Sequence, residues 1–235
     1  MLGRLFTSLL ACIAAYFAAL YITDTSFEGC ATERFEDLTI PHAKIISVSA
    51  SPITRYKRFG SKLDFCNVTV TYTHPEWNER IHTTVWLRAS SWNELLQGIR
   101  GGGYGVRHGD DFILEEPVAK GYAVVATDGG HSPVMWNSKN WSLDASGHVN
   151  MPLFKDFAYV AMSEIALIGK AVARFFYGRG PKYSYWNGCS TGGRQGLLLA
   201  QQYPTAFDGI YASAPAINWP SFIVGSLWET IGTSL

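Results

Sequence analysis

The chain has 235 residues, 47% of them hydrophobic, and its formal net charge is +0. This length and apolar content predict one sizeable domain with its own core. The balanced charge argues against a nucleic-acid-binding protein and against binding to an anionic membrane surface. One short basic cluster, residues 55–58, is interpreted as a solvated loop.

The N-terminus carries an almost unbroken apolar run over residues 5–22, preceded by Arg4 and ended by Asp24. This pattern predicts a secretory signal peptide over residues 1–23, with cleavage somewhere between Ala19 and Ser26. A membrane anchor is the alternative, because the run approaches the ~20 residues that a spanning helix needs. We favour the signal peptide because the run is rich in alanine, and we expect a secreted, extracellular protein.

The cysteines and sequons also bear on the compartment. The chain contains Cys12, Cys30, Cys66 and Cys189. Cys12 lies in the predicted leader, which leaves an odd number, so one thiol is unpaired or its partner lies outside the chain. Two N-glycosylation sequons begin at Asn67 and Asn140 and agree with a secretory route.

The first half of the chain is typical of β structure. Residues 66–73 alternate with period two and include β-branched side chains, so they predict a strand. Residues 45–50 and 82–87 are further predicted strands, and the latter should form an antiparallel hairpin with 66–73.

From residue 111 onward, predicted helices and strands alternate. The expected order is a helix at 111–120, a strand at 122–127, a helix at 156–177, a strand at 183–187, a helix at 193–203 and a strand at 209–214. Alternation of this kind predicts an α/β fold with helices on both faces of a mixed, mostly parallel sheet.

The run Gly188-Cys189-Ser190-Thr191-Gly192 lies between a predicted strand and a predicted helix. A Gly-x-Ser-x-Gly sequence in that position is typical of a nucleophile elbow, in which a strained turn exposes the serine hydroxyl. Ser190 is therefore the predicted nucleophile. The backbone N–H of Thr191, at the start of the helix, is the predicted first donor to the oxyanion.

A glycine-rich loop, Gly101, Gly102 and Gly103, precedes the strand at 122–127. Glycine lets a backbone N–H approach a substrate closely, so this flexible loop is the predicted source of a second oxyanion donor. A flexible hairpin tip without function is the alternative.

The general base is missing from its expected place. In α/β-hydrolases the order along the chain is serine, then an acid, then histidine. The acids after Ser190 are Asp208 and Glu229, and the last histidine of the chain is His148. His131 follows a predicted central strand and is an alternative candidate base; a structural histidine in a turn is the favoured interpretation.

Several motifs together resemble the tannase and feruloyl esterase family, from about Cys30 to the end of the chain. The most specific is the Cys-Ser-Thr-Gly-Gly-Arg run at 189–194. Further matching segments are Gln202-Tyr203-Pro204, Phe207-Asp208-Gly209-Ile210 and Ala214-Pro215-Ala216.

The resemblance implies hydrolysis of carboxylic esters of phenolic acids, with feruloyl groups on plant polysaccharides or galloyl groups in tannins as substrates. It implies that Ser190 forms the acyl-enzyme and that the N–H groups of Thr191 and Gly102 hold the oxyanion. No cofactor, metal, nucleic-acid partner or stable membrane association after leader cleavage is expected of this chain.

The resemblance further implies a disulfide between Cys30 and Cys66 and leaves Cys189 unpaired, because the family pairs that cysteine with one beside the catalytic histidine. The lid, with its structural calcium, and the triad Asp and His have no counterpart here. We therefore expect residues 24–235 to be the N-terminal part of an α/β-hydrolase catalytic domain that is inactive by itself. The competing hypothesis is a non-catalytic, truncated domain with at most phenolic-ligand binding.

Overall fold

The computed structural model describes residues 27, 29–58, 61–99, 101–106, 112–132 and 137–232. The predicted leader lies outside these residues. Within the described ranges, no helix combines the length and the apolar character needed to cross a membrane. The strands are β1 (Lys44–Arg58), β2 (Ser61–Thr73), β3 (Ile81–Arg88), β4 (Leu95–Ile99), β5 (Ala123–Thr127), β6 (Tyr183–Cys189) and β7 (Gly209–Ser213). The helices are α1 (Phe112–Ala119), α2 (Lys139–Ser142), α3 (Met151–Ala158), α4 (Val160–Tyr177), α5 (Thr191–Gln202) and α6 (Trp219–Gly232).

All seven strands belong to one sheet in the order β1-β2-β3-β5-β4-β6-β7. The pairs β1–β2, β2–β3 and β3–β5 are antiparallel. The pairs β5–β4, β4–β6 and β6–β7 are parallel. The predicted mixed sheet with an antiparallel start is confirmed.

A disulfide joins Cys30 to Cys66, across 36 positions of the chain. Cys66 lies in β2 with no exposed surface, so the bridge fastens the segment before β1 onto the second strand of the sheet. A cross-link closing a loop of this size stabilises by about 3–4 kcal/mol in the loop-entropy estimate. The pairing implied by the family resemblance is confirmed.

The prediction of a solvated loop at residues 55–58 is wrong, because these residues form the end of β1. The pairing of β1 with β2 shifts register between Ile53 and Tyr56, which is a bulge that lets the strand continue. The Tyr56 ring then packs edge-on against Phe65 and Trp86, with centroids 5.5 and 5.7 Å away.

The predicted helix at 156–177 is two helices. Tyr159 has φ −157° and ψ −32°, which is not helical, and it separates α3 from α4. The earlier helix α3 begins after Asn150, whose side chain accepts a hydrogen bond from the Leu153 N–H. The apolar spacing continues across the break, so periodicity alone could not locate it.

Helix α4 packs against one face of the sheet and α1 against the other. Gly169 lets α4 lie close to β5, because a Cβ there would be only 2.8 Å from a methyl carbon of Val125. On the opposite face, Leu114 and Val118 of α1 join Val124 and Ala126 of β5 in a second apolar cluster. With both faces covered, β5 is fully buried along its length, as expected of a central strand.

Strand β4 and helices α2 and α6 were not predicted from the sequence. Strand β4 is short and contains Gly98, where a Cβ would lie 2.7 Å from the ring of Phe207. It nevertheless occupies the sheet position between β5 and β6. Helix α6 follows β7 and carries several exposed apolar side chains: Phe222, Val224, Leu227 and Trp228.

Candidate active site

Ser190 lies on the turn between β6 and α5, with φ 60° and ψ −120°. A non-glycine residue in this region costs on the order of 1–3 kcal/mol and persists only when its surroundings hold it. Three backbone hydrogen bonds do so here. The Ser190 N–H donates to the Ser213 carbonyl at 3.1 Å, and the Ser190 carbonyl accepts from the N–H groups of Arg194 and Ala216 at 3.0 and 3.1 Å.

The glycines around Ser190 are needed for steric reasons. A Cβ at Gly188 would lie 2.2 Å from the Gly192 carbonyl oxygen, and one at Gly193 would lie 2.4 Å from the Ser213 carbonyl oxygen. Neither contact is possible without moving backbone. The strand–turn–helix geometry expected from the Gly-x-Ser-x-Gly pattern is therefore present.

Strand β4 places the glycine loop beside this turn. β4 and β6 are parallel neighbours, so the segments that follow them meet at the same edge of the sheet. The Thr191 hydroxyl donates to the Gly103 carbonyl at 2.6 Å, and the Gly101 N–H donates to Gln195 Oε1 at 3.1 Å. Helix α5 thus holds the glycine loop from two of its side chains.

The glycine loop is a closed turn rather than the free, flexible segment that its sequence suggests. The Gly102 N–H donates to the Gly105 carbonyl at 3.1 Å, and the Gly105 N–H donates back at 3.0 Å. An oxyanion would have to compete with Gly105 for the Gly102 N–H. Thr191, in contrast, is the first residue of α5, where N–H groups have no acceptor within the helix.

A cavity of about 570 Å³ opens beside Ser190, within the size range of small-molecule sites. The glycine loop, the serine turn and side chains of α6 line this cavity. The lining residues are Gly101, Gly102, Gly103, Tyr104, Cys189, Ser190, Thr191, Ala216, Trp219, Phe222, Ile223, Ser226 and Leu227. The Tyr104 and Trp219 rings meet edge to face at 5.6 Å and give the cavity an aromatic side.

No histidine hydrogen-bonds to the Ser190 hydroxyl within the described part of the chain. His131 is buried and stacked on Trp141 with ring centroids 4.2 Å apart, and it is not among the described residues that line the cavity. Burial lowers its pKa, while the Ser132 carbonyl and the Asp128 charge act in the opposite direction. The interpretation of His131 as a structural histidine is the one this packing supports.

Asp208, the first acidic residue after Ser190 in the sequence, binds Ser184 and not the serine turn. Asp208 Oδ2 accepts from the Ser184 N–H at 2.7 Å and from its hydroxyl at 2.8 Å. Ser184 lies near the start of β6, at the opposite end of the strand from Ser190. Asp208 therefore fastens β7 to β6 and does not face the serine.

Arg194 has a structural role that sequence reasoning did not assign. Its guanidinium donates to the carbonyls of Ala158 and Phe157, at 3.2 and 3.0 Å, which lie at the end of α3. The same group lies over the rings of Phe157 and Trp219, 4.7 and 5.5 Å from their centroids. Burial lowers its pKa to about 10. The signal available in the sequence was an arginine four residues after Ser190, in the first turns of a predicted helix, where a half-buried cation needs several acceptors.

The other residues singled out from the sequence are spread over the fold. Cys189 is free among the described cysteines, half-buried, and lines the cavity. Asn140 is exposed on α2. Asn67 is half-buried in the middle of β2, and its Oδ1 is buried without a hydrogen-bond partner.

A serine on a strained strand-to-helix turn, at the carboxyl edge of the parallel strands of a mixed sheet with helices on both faces, defines an α/β-hydrolase-type protein. Residues 66–231 match the family described as "Tannase and feruloyl esterase". The chain belongs to this family, as its motifs had indicated.

Named relatives agree with this assignment. The chain is 39% identical over 171 residues to a "Probable feruloyl esterase" of Arthroderma benhamiae, covering 72% of this chain and 32% of the relative. It is 33% identical over 159 residues to the "Mono(2-hydroxyethyl) terephthalate hydrolase" of Piscinibacter sakaiensis, covering 66% of this chain and 24% of that protein. The chain thus spans about a quarter to a third of the length of these relatives.

Solved structures show the same fold. The tannin acyl hydrolase of Aspergillus niger superimposes with a TM-score of 0.69 at 30% identity, covering 84% of this chain and 37% of that one. Feruloyl esterase B of Aspergillus oryzae gives 0.65 at 26% identity, covering 83% of this chain and 39% of that one.

Proposed function

We propose that Ser190 is the nucleophile of a carboxylic ester hydrolase that acts on esters of phenolic acids. The observation that carries the proposal is the backbone of Ser190, held at φ 60° on the lining of a cavity of about 570 Å³. Strain of this kind, fixed by surrounding hydrogen bonds, is typical of residues that must present a reactive side chain.

The proposed reaction passes through an acyl-enzyme. A general base removes the Ser190 proton as Oγ attacks the ester carbonyl, and the alcohol leaves with a proton from that base. Water then attacks the acyl-serine by the same route. The Thr191 N–H, aided by the positive end of α5, would stabilise the oxyanion in both halves. A second donor from the glycine loop requires the Gly102–Gly105 turn to open.

The cavity walls favour an aromatic acyl group. Tyr104, Trp219 and Phe222 give the cavity three aromatic side chains, and the glycine loop adds polar backbone to its lining. A planar phenolic acyl group could pack on these rings while its ester carbonyl points towards Ser190. The relatives named as feruloyl esterases and the tannin acyl hydrolase act on esters of this class by name, which supports the same assignment here.

We further propose that these 235 residues hydrolyse esters very slowly by themselves. The described residues give the Ser190 hydroxyl no histidine, and the sequence has none after position 148. Loss of the triad base costs on the order of 10⁶ in kcat in well-studied serine hydrolases. The structural calcium implied by the family resemblance is not used in any step of this proposal.

Hydrolysis of methyl ferulate and p-nitrophenyl acetate by the wild-type chain and by S190A tests both proposals. We expect equally low rates without additives, and a Ser190-dependent increase when imidazole is supplied as an external base. Imidazole also cleaves p-nitrophenyl acetate in solution, so the S190A reaction is the necessary control. Equal rates for the two proteins at every imidazole concentration would contradict the role of Ser190, and fast wild-type turnover without imidazole would contradict the inactivity.

A binding domain without catalysis is the second candidate, favoured by the aromatic wall of the cavity. It predicts that ferulic acid quenches tryptophan fluorescence with equal affinity in wild type and S190A, with no acyl-enzyme detected by mass spectrometry. Export through a signal peptide at residues 1–23 and glycosylation at the exposed Asn140 also remain part of the proposal. N-terminal sequencing and glycosidase-sensitive mass of the protein from culture medium would test them.

A further inference from the structure

A second group of charged side chains is buried away from the Ser190 cavity, between the β2–β3 loop and helices α3 and α4. His74 follows β2 and Glu79 precedes β3, whereas Asp156 belongs to α3 and Glu164 to α4. None of the four residues is more than 8% exposed. Four ionisable groups in so small an apolar region need an explanation, since buried charges are costly unless they are paired.

Part of the cluster is well satisfied. His74 Nε2 lies 2.6 Å from Glu164 Oε1, and the Tyr72 hydroxyl donates to Glu164 Oε2 at 2.7 Å. His74 Nδ1 lies 2.7 Å from Glu79 Oε1, which also accepts the His74 backbone N–H at 2.6 Å. Glu164 and one oxygen of Glu79 therefore have their partners.

The remaining carboxylate oxygens of this cluster have no hydrogen-bond partner. Asp156 has no exposed surface, and neither of its carboxylate oxygens has a hydrogen-bond partner. Glu79 Oε2 is likewise buried without a partner. One ligand atom each from His74, Glu79 and Asp156 lie within 4.8 Å of one another. Three carboxyl groups thus surround one imidazole, and the oxygens without partners belong to Glu79 and Asp156.

We propose that His74, Glu79 and Asp156 bind a divalent transition-metal cation, with Zn²⁺ as the first candidate. The ligands are His74 Nδ1, Glu79 Oε2 and a carboxylate oxygen of Asp156, with water completing the coordination. Imidazole with carboxylates suits Zn²⁺ or Mn²⁺ better than Ca²⁺, which prefers an all-oxygen set. The cation replaces the proton that His74 Nδ1 shares with Glu79 and the proton that burial favours on the Asp156 carboxyl, and both protons go to solvent.

The surroundings of His74 fit this role. A metal-bound histidine usually donates its other ring N–H to a carboxylate, which fixes its orientation and makes it a stronger ligand. His74 Nε2 and Glu164 have this relationship, and the Tyr72 hydroxyl holds Glu164 in turn. Glu164 is thus a positioning residue, one step removed from the cation.

The cation would stabilise the support of the serine turn and take no part in ester chemistry. It ties the β2–β3 loop to α3 through Asp156. The next two residues of α3, Phe157 and Ala158, offer the carbonyls that bind Arg194 of α5. A site of this kind is independent of the proposed esterase activity, and it would exist in a catalytically silent protein as well.

The test uses tag-free wild-type protein, because a histidine tag would itself bind zinc. Elemental analysis of protein purified without chelator should give close to one zinc or manganese per chain. After removal of metal with a chelator, an excess of Zn²⁺ should raise the melting temperature by about 5 °C or more. Ca²⁺ at the same concentration should have little effect. The Trp77 ring lies 4.8 Å from the His74 ring, so zinc binding should also change tryptophan emission.

Variants separate a bound cation from a merely buried network. D156N keeps the shape of the side chain and removes a charged ligand, so it should abolish the zinc-dependent shift even if the protein is as stable as the apo wild type. E164Q should weaken zinc binding by about 10–100-fold. E94Q removes a surface carboxylate elsewhere and should leave both the zinc-dependent shift in melting temperature and the zinc affinity unchanged. No retained metal and no shift with Zn²⁺ or Mn²⁺ would overturn the proposal, as would a shift that persists in D156N or a response to Ca²⁺ alone.

Discussion

The Thr191 hydroxyl donates to the Gly103 carbonyl at 2.6 Å, and this bond joins the residue after the proposed nucleophile to the glycine loop across 88 positions of sequence. Thr191 is 1% exposed, so water cannot easily replace the interaction. Both predicted sources of oxyanion donors are thereby held in one rigid unit. The bond also explains why this position carries a hydroxyl-bearing side chain next to the serine.

Replacing Thr191 tests that unit. T191V keeps the volume but leaves the half-buried Gly103 carbonyl without its donor, so we expect a loss of about 1–3 kcal/mol in the free energy of unfolding. T191S retains the hydroxyl and should lose about 1 kcal/mol for the missing methyl group. Chemical denaturation of the three proteins measures the difference. If T191S proved less stable than T191V, the hydrogen bond would not be the stabilising feature.

The glycine at position 193 allows a second test. G193A would place a Cβ 2.4 Å from the Ser213 carbonyl oxygen and 2.8 Å from Pro215, both backbone contacts. We expect a loss of at least 3 kcal/mol, because β7 must shift or the elbow must open. G225A is the matched control in α6, where nothing lies within 4 Å of the added methyl. It should stabilise by about 0.5–1 kcal/mol. Equal melting temperatures for G193A and wild type would contradict the close packing of the elbow.

Much of this site was visible in the sequence because the constraint is local. The Gly-x-Ser-x-Gly turn between a strand and a helix requires glycines at fixed positions, and this spacing can be recognised directly in the sequence. The strand alternation at 66–73 has the same local character. The Cys30–Cys66 pair, in contrast, came from family resemblance, because spacing alone does not specify which cysteines meet.

What sequence reasoning missed depends on distant contacts. Strand β4 has only five residues and includes Gly98, yet it lies between β5 and β6 because Phe207 and Trp186 pack against that glycine. The break at Tyr159 interrupts an apolar pattern that continues on both sides. The position of the glycine loop beside the serine turn depends on hydrogen bonds to Thr191 and Gln195, about 90 positions further along the chain. Burial of His74, Glu79 and Asp156 is likewise decided by the packing of α3 and α4 on the β2–β3 loop.

Arg194 provides a test of how α3 is held against α5. R194M keeps the apolar stem and removes the guanidinium, leaving the Phe157 and Ala158 carbonyls without their donor, so we expect a loss of about 2–4 kcal/mol. R194K restores the charge but not the fork that reaches two carbonyls, and it should recover only part of that loss. The exposed Arg179, paired with Glu94 at 2.8 Å, is the control. R179M should cost about 0–1 kcal/mol. Equal losses for R194M and R179M would mean that the buried contacts of Arg194 contribute nothing.

His131 makes stability depend on pH, and the direction follows from its surroundings. Burial against Trp141 lowers its pKa below the value of about 6.5 that it has in the unfolded chain. As the pH falls through 6.5, the unfolded state therefore binds a proton that the folded state refuses, and the free energy of unfolding decreases. H131F preserves an aromatic ring in the stack and removes this titration. We expect the free energy of unfolding to decline less for H131F than for wild type between pH 7 and 5, measured by urea denaturation at each pH.

H148N removes an exposed histidine and is the control for the number of histidines alone. If the wild-type and H131F curves were parallel, neutral burial of His131 would not be the origin of the acid sensitivity.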